Sequence, residues 1–417
     1  MERRPVSRGY EVAVLLILSL VNGVVALDRL AVNFLSPFIV ADLGLSNTQL
    51  GLLSSALSGA ISVSGLLVAA FADRTGKQKA ILVWMLVAFS IMSGGAGIAA
   101  SFAALFVARL LLGVTEGPLV PLAQTIMADA SAPQRRGFNM GTMQIGGAFL
   151  IGAMLGPLVI VRIAEGIGWQ ATFFLTMLPG LVVAMLVGAF VRQPRSPLPQ
   201  AGGVGGGPAA LPASAIDDDK ALPDLSIRAL LRSRNLLLSM AIAALFTAWI
   251  TIQNVFLPRY LTETIGYTPQ MMSGLLSLSG LGGLVGGILI PALSDRLGRK
   301  PMTVATGFAS VIVPLALLSV AGSPVMLGIA FVAGGLVVGC APLVCAIIPA
   351  ESVPPARVTT AVALSMCTAE LVGGVLSPPI AGLAADAWGL RATFWLDIGL
   401  AIACGVLALG LKETVKR

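Results

Sequence analysis

The sequence predicts an all-α integral membrane protein of twelve transmembrane helices, arranged as two pseudo-symmetric six-helix bundles. Three observations carry that prediction. Hydrophobic residues fill 57% of the 417 positions and charged residues only 11%, against about 25% charged in soluble domains; mean hydropathy is +0.94. The apolar runs are about 20 residues long, enough for a helix to span a bilayer and too long for barrel strands. The two ends of the chain also repeat at an offset of about 222 residues. Asp73-Arg74-Thr75-Gly76 matches Asp295-Arg296-Leu297-Gly298, and Asp129 before Pro133 corresponds to Glu351 before Pro355. Gly168-Trp169-Gln170-Ala171-Thr172-Phe173-Phe174-Leu175 matches Gly389-Leu390-Arg391-Ala392-Thr393-Phe394-Trp395-Leu396.

The first span, 12–38, follows Arg3, Arg4 and Arg8. Its apolar run is longer than a signal peptide's and lacks a convincing cleavage site, so it is expected to stay as an uncleaved helix. Spans 47–72 and 79–99 flank a basic loop with Arg74, Lys77 and Lys79; spans 102–128 and 137–161 flank Arg135 and Arg136. The fifth span carries Gly146, Gly147, Gly152 and Gly156-Pro157, which reads as close helix packing in lipid. Span 169–191 completes the first set. The stretch from Gln193 to Asp224 is rich in Pro, Gly and Ala and contains Asp217-Asp218-Asp219; it cannot build a core and reads as a linker. A short amphipathic surface helix with Arg228 and Arg232 on its wet side is expected to follow it. The second set is 236–260, 269–293, 302–321, 324–348, 357–384 and 391–411. The chain therefore divides into a bundle over 1–191, a linker over 192–235 and a bundle over 236–417.

Net charge is +7, but most of the 26 Lys and Arg fall before the first span, in every second loop and in the tail Lys412, Lys416 and Arg417. That is the positive-inside bias. It puts both termini in the cytoplasm, as expected for a bacterial inner membrane protein, and leaves no nucleic-acid surface. Histidine is absent, which removes His-based triads, the usual zinc sites and a His proton relay. Cys340, Cys345, Cys367 and Cys404 form no CxxC pair and are expected to be free, buried thiols with no metal. No Walker A sequence or nucleophile–base set is present, so neither an enzyme nor a cofactor is expected.

Against this apolar background Asp28-Arg29 is anomalous. A charge at the bilayer centre costs roughly 2.5–3.5 kcal/mol on insertion scales, and such residues persist where they meet partners or line a wet cavity. Arg109 and Glu116, seven residues apart, fall on one face of the fourth helix and can turn toward that pair. Two acids and two bases balance. An organic anion arriving at Arg29 or Arg109 disturbs the balance, and a proton on Asp28 or Glu116 restores it. The bland alternative is an inert ion-pair network between helices 1 and 4. In the second half the offset lands on Ile250-Thr251 rather than a charged pair. Gln253 and Asn254 are candidate hydrogen-bond partners for a hydroxylated acid, although ordinary interhelical bonding explains them equally well. Glu370, ahead of Gly373-Gly374 and Pro378-Pro379, is a candidate substrate or proton site, while Asp397 is expected to be a packing partner.

These features resemble the major facilitator superfamily along the whole chain. Asp73-Arg74-Thr75-Gly76-Lys77-Gln78-Lys79 and Asp295-Arg296-Leu297-Gly298-Arg299-Lys300 are similar to its basic loop signature, with Ala69 and Pro291 where a glycine usually stands. The resemblance implies gating by Asp73, Arg74, Asp295, Arg296 and Arg299. Leu27-Asp28-Arg29 in helix 1 and Arg109 to Glu116, Pro118 and Pro121 in helix 4 resemble the anion:cation symporter group, whose sugar-acid symporters carry an Asp-Arg and an Arg-x6-Glu pair there. The group's usual tyrosine before the Asp is missing, as Val25-Ala26 shows. What the resemblance implies is alternating-access uptake of a small organic anion, a sugar acid or other carboxylate, by a monomer. Asp28 and Glu116 would carry protons, with sodium as the open alternative ion, and Arg29 and Arg109 would meet the substrate. The rival is a spinster-like lipid transporter or a drug exporter, kept in view by Gly152 to Pro157, which partly resembles an antiporter motif.

Overall fold

A computed structural model of the protein describes residues 7–194 and 232–414. The linker and nearly all of the expected surface helix lie outside those residues. Among the described residues, twelve helices are long and apolar enough to cross a membrane. We number them α1 (Arg8–Phe34), α2 (Asn47–Thr75), α3 (Gln78–Ile98), α4 (Phe102–Ala130), α5 (Arg136–Ile167), α6 (Trp169–Phe190), α7 (Arg234–Thr264), α8 (Pro269–Leu297), α9 (Arg299–Ser319), α10 (Pro324–Glu351), α11 (Val358–Trp388) and α12 (Arg391–Leu409). No strand occurs among the described residues.

Two boundaries depart from the hydropathy reading for a physical reason. The first helix stops at Phe34, and a separate short helix covers Ser36–Leu43. Pro37 has no N–H to give the Asn33 carbonyl, and the Ser36 hydroxyl bonds that carbonyl instead at 2.7 Å. The fifth helix, by contrast, runs past Pro157 to Ile167. Gly146–Leu155 is wound as a π-helix, a looser winding usually confined to short bulges at functional sites. Pro157 opens the α-helical turn that follows, so it does not break the span.

Packing repeats between the bundles. In the first, α1 packs on α5, α2 on α4 and α3 on α6; in the second, α7 packs on α11, α8 on α10 and α9 on α12. Two further pairs cross between bundles, α2 with α11 and α5 with α8. Glycine sets how closely they approach. A Cβ on Gly51 would fall on the Pro378 carbonyl, and one on Gly280 on the backbone of Ala153. Gly147 and Gly152 lie likewise against Ser19 and Ala26 of α1, the packing role expected for them, whereas a Cβ on Gly146 would meet nothing within 4 Å.

The thiols correct one expectation. Cys340 and Cys404 are buried, but Cys345 is half-buried and Cys367 exposed. In a membrane helix an apolar neighbourhood does not imply burial, because the lipid-facing side is apolar too.

Candidate functional site

Asp28, Arg29, Arg109 and Glu116 come together where α1 crosses α4. Arg29 donates from Nε to Glu116 Oε1 at 2.7 Å and also approaches it through Nη2 at 2.6 Å. The Glu116 side chain is fully buried, while that of Arg29 is 46% exposed. The pair thus has one end sealed in the bundle and one end open. Arg109, only 2% exposed, donates from Nη2 to the backbone carbonyl of Arg29 at 3.1 Å. It fixes the stretch of α1 from which Arg29 projects.

Asp28 does not pair with arginine. Its Oδ1 is hydrogen-bonded by Ser93 of α3, and Ser93 Oγ lies 2.9 Å from Thr176 Oγ1 of α6. Thr176 in turn reaches the Phe173 carbonyl at 2.8 Å. Sequence reading missed Ser93 and Thr176, since lone hydroxyls in membrane helices usually bond their own backbone. The chain of contacts has a proton count. Three oxygen–oxygen contacts run from Asp28 to Phe173, and the two hydroxyls supply two protons. An ionised Asp28 leaves one contact empty; a protonated Asp28 fills all three.

Four groups are left without a hydrogen-bond partner: Asp28 Oδ2, Glu116 Oε2, and Nε and Nη1 of Arg109. A buried polar atom in that condition is costly, so the cluster is primed for a ligand, a proton or a rearrangement. In the other bundle, Glu370 opens a π-helical segment, Glu370–Leu376. Gln253 of α7 is buried with Nε2 unpartnered, whereas Asn254 is exposed. Asp397 is buried with both oxygens unpartnered.

The gate residues separate by face. On the side of the termini, Arg299 pairs with Asp295 at 2.5 Å and Glu351 at 3.0 Å and bonds Ser294 at 2.6 Å, all within the second bundle. Asp73, Arg74 and Arg296 are carried at the ends of α2 and α8; Arg74 and Arg296 are exposed. A second terminal-side cluster, missed by the sequence reading, joins Glu11 to Arg135 at 2.5 Å and Asn139 at 2.6 Å within the first bundle.

The bundles meet on the opposite face. Asp386, at the end of α11, accepts from the backbone N–H of Asn47 (2.8 Å) and Thr48 (2.9 Å), the Asn47 amide (2.9 Å) and the Thr48 hydroxyl (2.6 Å). It caps α2 from the other bundle. Arg259, held by Glu263, donates to Asn47 Oδ1 at 2.6 Å. Nearer mid-height, Ser55 donates to the Val375 carbonyl and Ser277 to that of Met154, both at 2.6 Å. Because α2 packs on the part of α11 after Glu370, the far face is closed.

The chain matches the family model described as Major Facilitator Superfamily, over residues 18–257 and 241–417. The hexuronate transporter of Bacillus subtilis is 30% identical over 291 residues, covering 69% of this chain and 65% of that protein, just under two thirds of its length. The cis,cis-muconate transport protein of Acinetobacter baylyi is 25% identical over 395 residues, covering 93% and 91%. Among solved structures, a bacterial homolog of the human lysosomal transporter spinster, inward-facing and occupied, matches with TM-score 0.71 at 18% identity over 97% of both chains. That likeness concerns the fold alone.

Proposed function

We propose, from the premise that the chain belongs to the Major Facilitator Superfamily, that it takes up a small organic anion, a sugar acid or other carboxylate, together with protons. The observation that carries this reading is the Arg29–Glu116 pair, sealed at the carboxylate and open at the guanidinium. An incoming carboxylate competes with Glu116 for Arg29, the exposed cation of the cluster. Once Arg29 turns to the substrate, Glu116 is a buried charge without its partner. Breaking a buried pair in this way costs about 3–5 kcal/mol, and a proton on Glu116 removes the charge. Substrate and proton then occupy the cluster together, as symport requires. Asp28 is the second carrier, because its contacts with Ser93 and Thr176 are fully supplied with hydrogens when it is protonated. Arg109 orients the Arg29 backbone and holds two unpartnered nitrogens for the substrate or for Asp28. Gln253, Asn254 and Glu370 would read the substrate from the second bundle.

In this reading the bundles over 1–191 and 236–417 rock around the cluster as a monomer, tethered by 192–235. The basic terminal side is the cytoplasmic face of an inner membrane, and the state described is open inward. The names of the relatives support a carboxylate: one transports hexuronate, the other cis,cis-muconate. The test is uptake by the purified protein in proteoliposomes. Hexuronates and muconate should enter against a gradient when the outside is acidic, with alkalinisation outside, and a sodium gradient alone should not replace the proton gradient. Glu116→Gln should still exchange substrate across the membrane but lose at least tenfold of its acid-driven accumulation. Full accumulation with an unchanged pH profile in a folded Glu116→Gln protein refutes the proton role; uptake of amphipathic lipid and no carboxylate refutes the substrate class.

A further inference from the structure

We propose that Asp397 is a second-bundle proton-binding carboxyl, loaded in the terminal-side-open state and unloaded elsewhere in the transport cycle. The proposal rests on the proton-coupled reading above and extends it to a residue outside the charged cluster.

Asp397 is completely buried, and neither carboxylate oxygen has a hydrogen-bond partner. An ionised carboxylate cannot stay in such surroundings without a counter-charge. Among the described residues none supplies one. The helices packed on α12 are α7, α9 and α11. Their charged groups are Arg234, Arg259 and Glu263 on α7, Arg299 and Lys300 on α9, and Glu370 and Asp386 on α11. None of them, nor Arg391 on α12 itself, forms a hydrogen bond or salt bridge with Asp397. The remaining titratable neighbours are engaged elsewhere: the Tyr260 hydroxyl bonds the Leu317 carbonyl, and Cys404 faces the Ile242 carbonyl. The group is therefore neutral in this state, which for an aspartic acid means protonated.

The repeat identifies what this position is for. Gly168 and Gly389 adopt the same left-handed turn, φ 84° and 82°, ahead of α6 and α12. Thr172 and Thr393 are both fully buried, and so, to within 1%, are Phe173 and Phe394. Carried one position beyond the matched octapeptide, that register pairs Asp397 with Thr176, the end of the relay that starts at Asp28. At the other end, the counterpart of Asp28 is Ile250 on α7. Each bundle thus has one acid at the junction of its first and last helices, but on opposite partners: α1 in the first, α12 in the second. Two more polar groups orphaned by the protein, Trp249 Nε1 and Gln253 Nε2, lie one turn apart on α7, which packs closely on α12. They lie on either side of Ile250 along α7.

Two measurements test this. Infrared difference spectra of the reconstituted protein between neutral and alkaline pH should contain a carbonyl stretch from a protonated carboxyl, absent in Asp397→Asn and in Asp397→Thr, the latter carrying the first bundle's residue. The proton-to-substrate ratio, from the reversal of uptake against imposed pH and voltage gradients, should be one lower in both variants than in the wild type. If the wild type couples protons and both folded variants keep its ratio and pH profile, Asp397 is not part of coupling and the proposal fails alone. If the carbonyl band survives both substitutions, Asp397 is not the protonated group, and the proposal fails. If the wild type takes up carboxylate with no proton movement, the coupling reading fails first and takes the proposal with it.

Discussion

The Asp386 cap makes a quantitative prediction about which face of the protein is open. Its carboxylate takes the first two backbone N–H groups of α2, those of Asn47 and Thr48, while Ser46 takes the N–H of Gln49. Helix starts leave such groups without intrahelical partners. Here the other bundle supplies the acceptor, so the contact exists only while the far face is closed. Removing an N-cap carboxylate costs about 0.5–2 kcal/mol, and its interaction with the helix dipole contributes about 0.3–1 kcal/mol of that order at an exposed site. Asp386 is exposed, which argues for a middle value of about 1–2 kcal/mol. At 1.4 kcal/mol per tenfold, Asp386→Ala should lower the ratio of far-face-closed to far-face-open protein by about 5- to 30-fold. Asp386→Asn, which keeps one acceptor oxygen but no charge, should fall between. The assay is pulsed electron paramagnetic resonance with labels at Ile98 and Trp388, both strongly exposed, in a Cys367→Ser background because Cys367 is exposed too. The long-distance fraction should grow in the order parent, Asn, Ala. Superimposable distance distributions for all three would refute the idea that this cap holds the bundles together.

Three shorter predictions follow from the same contacts. Gly51→Val places a side chain on the Pro378 carbonyl; overpacking of about 1–3 kcal/mol should disfavour far-face closure by about 5- to 150-fold and stop net uptake, read by the same distance measurement. Ser93→Ala removes the hydroxyl that donates to the Asp28 carboxylate; a lost hydrogen bond of about 0.5–1.5 kcal/mol should move half-maximal uptake toward alkali by up to about one pH unit, with Ser93→Thr restoring it. A shift toward acid would mean that Ser93 serves the protonated form instead. Arg29→Lys keeps a charge but loses the planar fork, so half-saturation for the carboxylate should rise about tenfold or more while expression is unchanged.

How much of this was legible in the chain depended on whether the deciding contact was local. The helices were, because a bilayer demands long apolar runs whatever their packing; α1 and α5 went astray only where Pro37 stops a helix and a π segment lets Pro157 pass. The meeting of Arg29 with Glu116 was legible because charges in lipid are few and must find one another. Asp28 was expected to belong to that pairing and instead turned to Ser93 and Thr176. Nothing in the sequence distinguishes those two hydroxyls from Thr251 or Thr368, which bond their own helices. The gate was misdirected for a related reason. The signature loops advertise charge, but the pairs formed by Arg299 remain inside one bundle in this state. The cross-bundle latch uses Asn47, Thr48 and Asp386, an ordinary helix-capping set brought together across 338 residues or more.

That division of labour bears on coupling. With the terminal side open, each terminal-side network satisfies its own bundle: Glu11 with Arg135 and Asn139 in the first, Arg299 with Asp295 and Glu351 in the second. Closing that side must therefore be favoured by something other than the charges of these two networks, since they are already paired within their own bundles. The central cluster can supply it. Glu370 stands on α11 of the opposite bundle, at the start of its π segment, so a substrate that bridges Arg29 to that helix, with a proton on Glu116, would join the two halves. A bound anion placed between Arg29 and α11 would act on both bundles at once, whereas a proton on Glu116 alone acts within the first. Cross-bundle closure would then need the substrate, and a leak of protons without it would be suppressed. Glu370→Gln is the decisive variant: it should bind carboxylate with normal pH dependence yet pass protons in its absence, visible as pH decay in substrate-free vesicles. Substrate-free vesicles that stay as tight as the wild type would mean that Glu370 takes no part in that restraint.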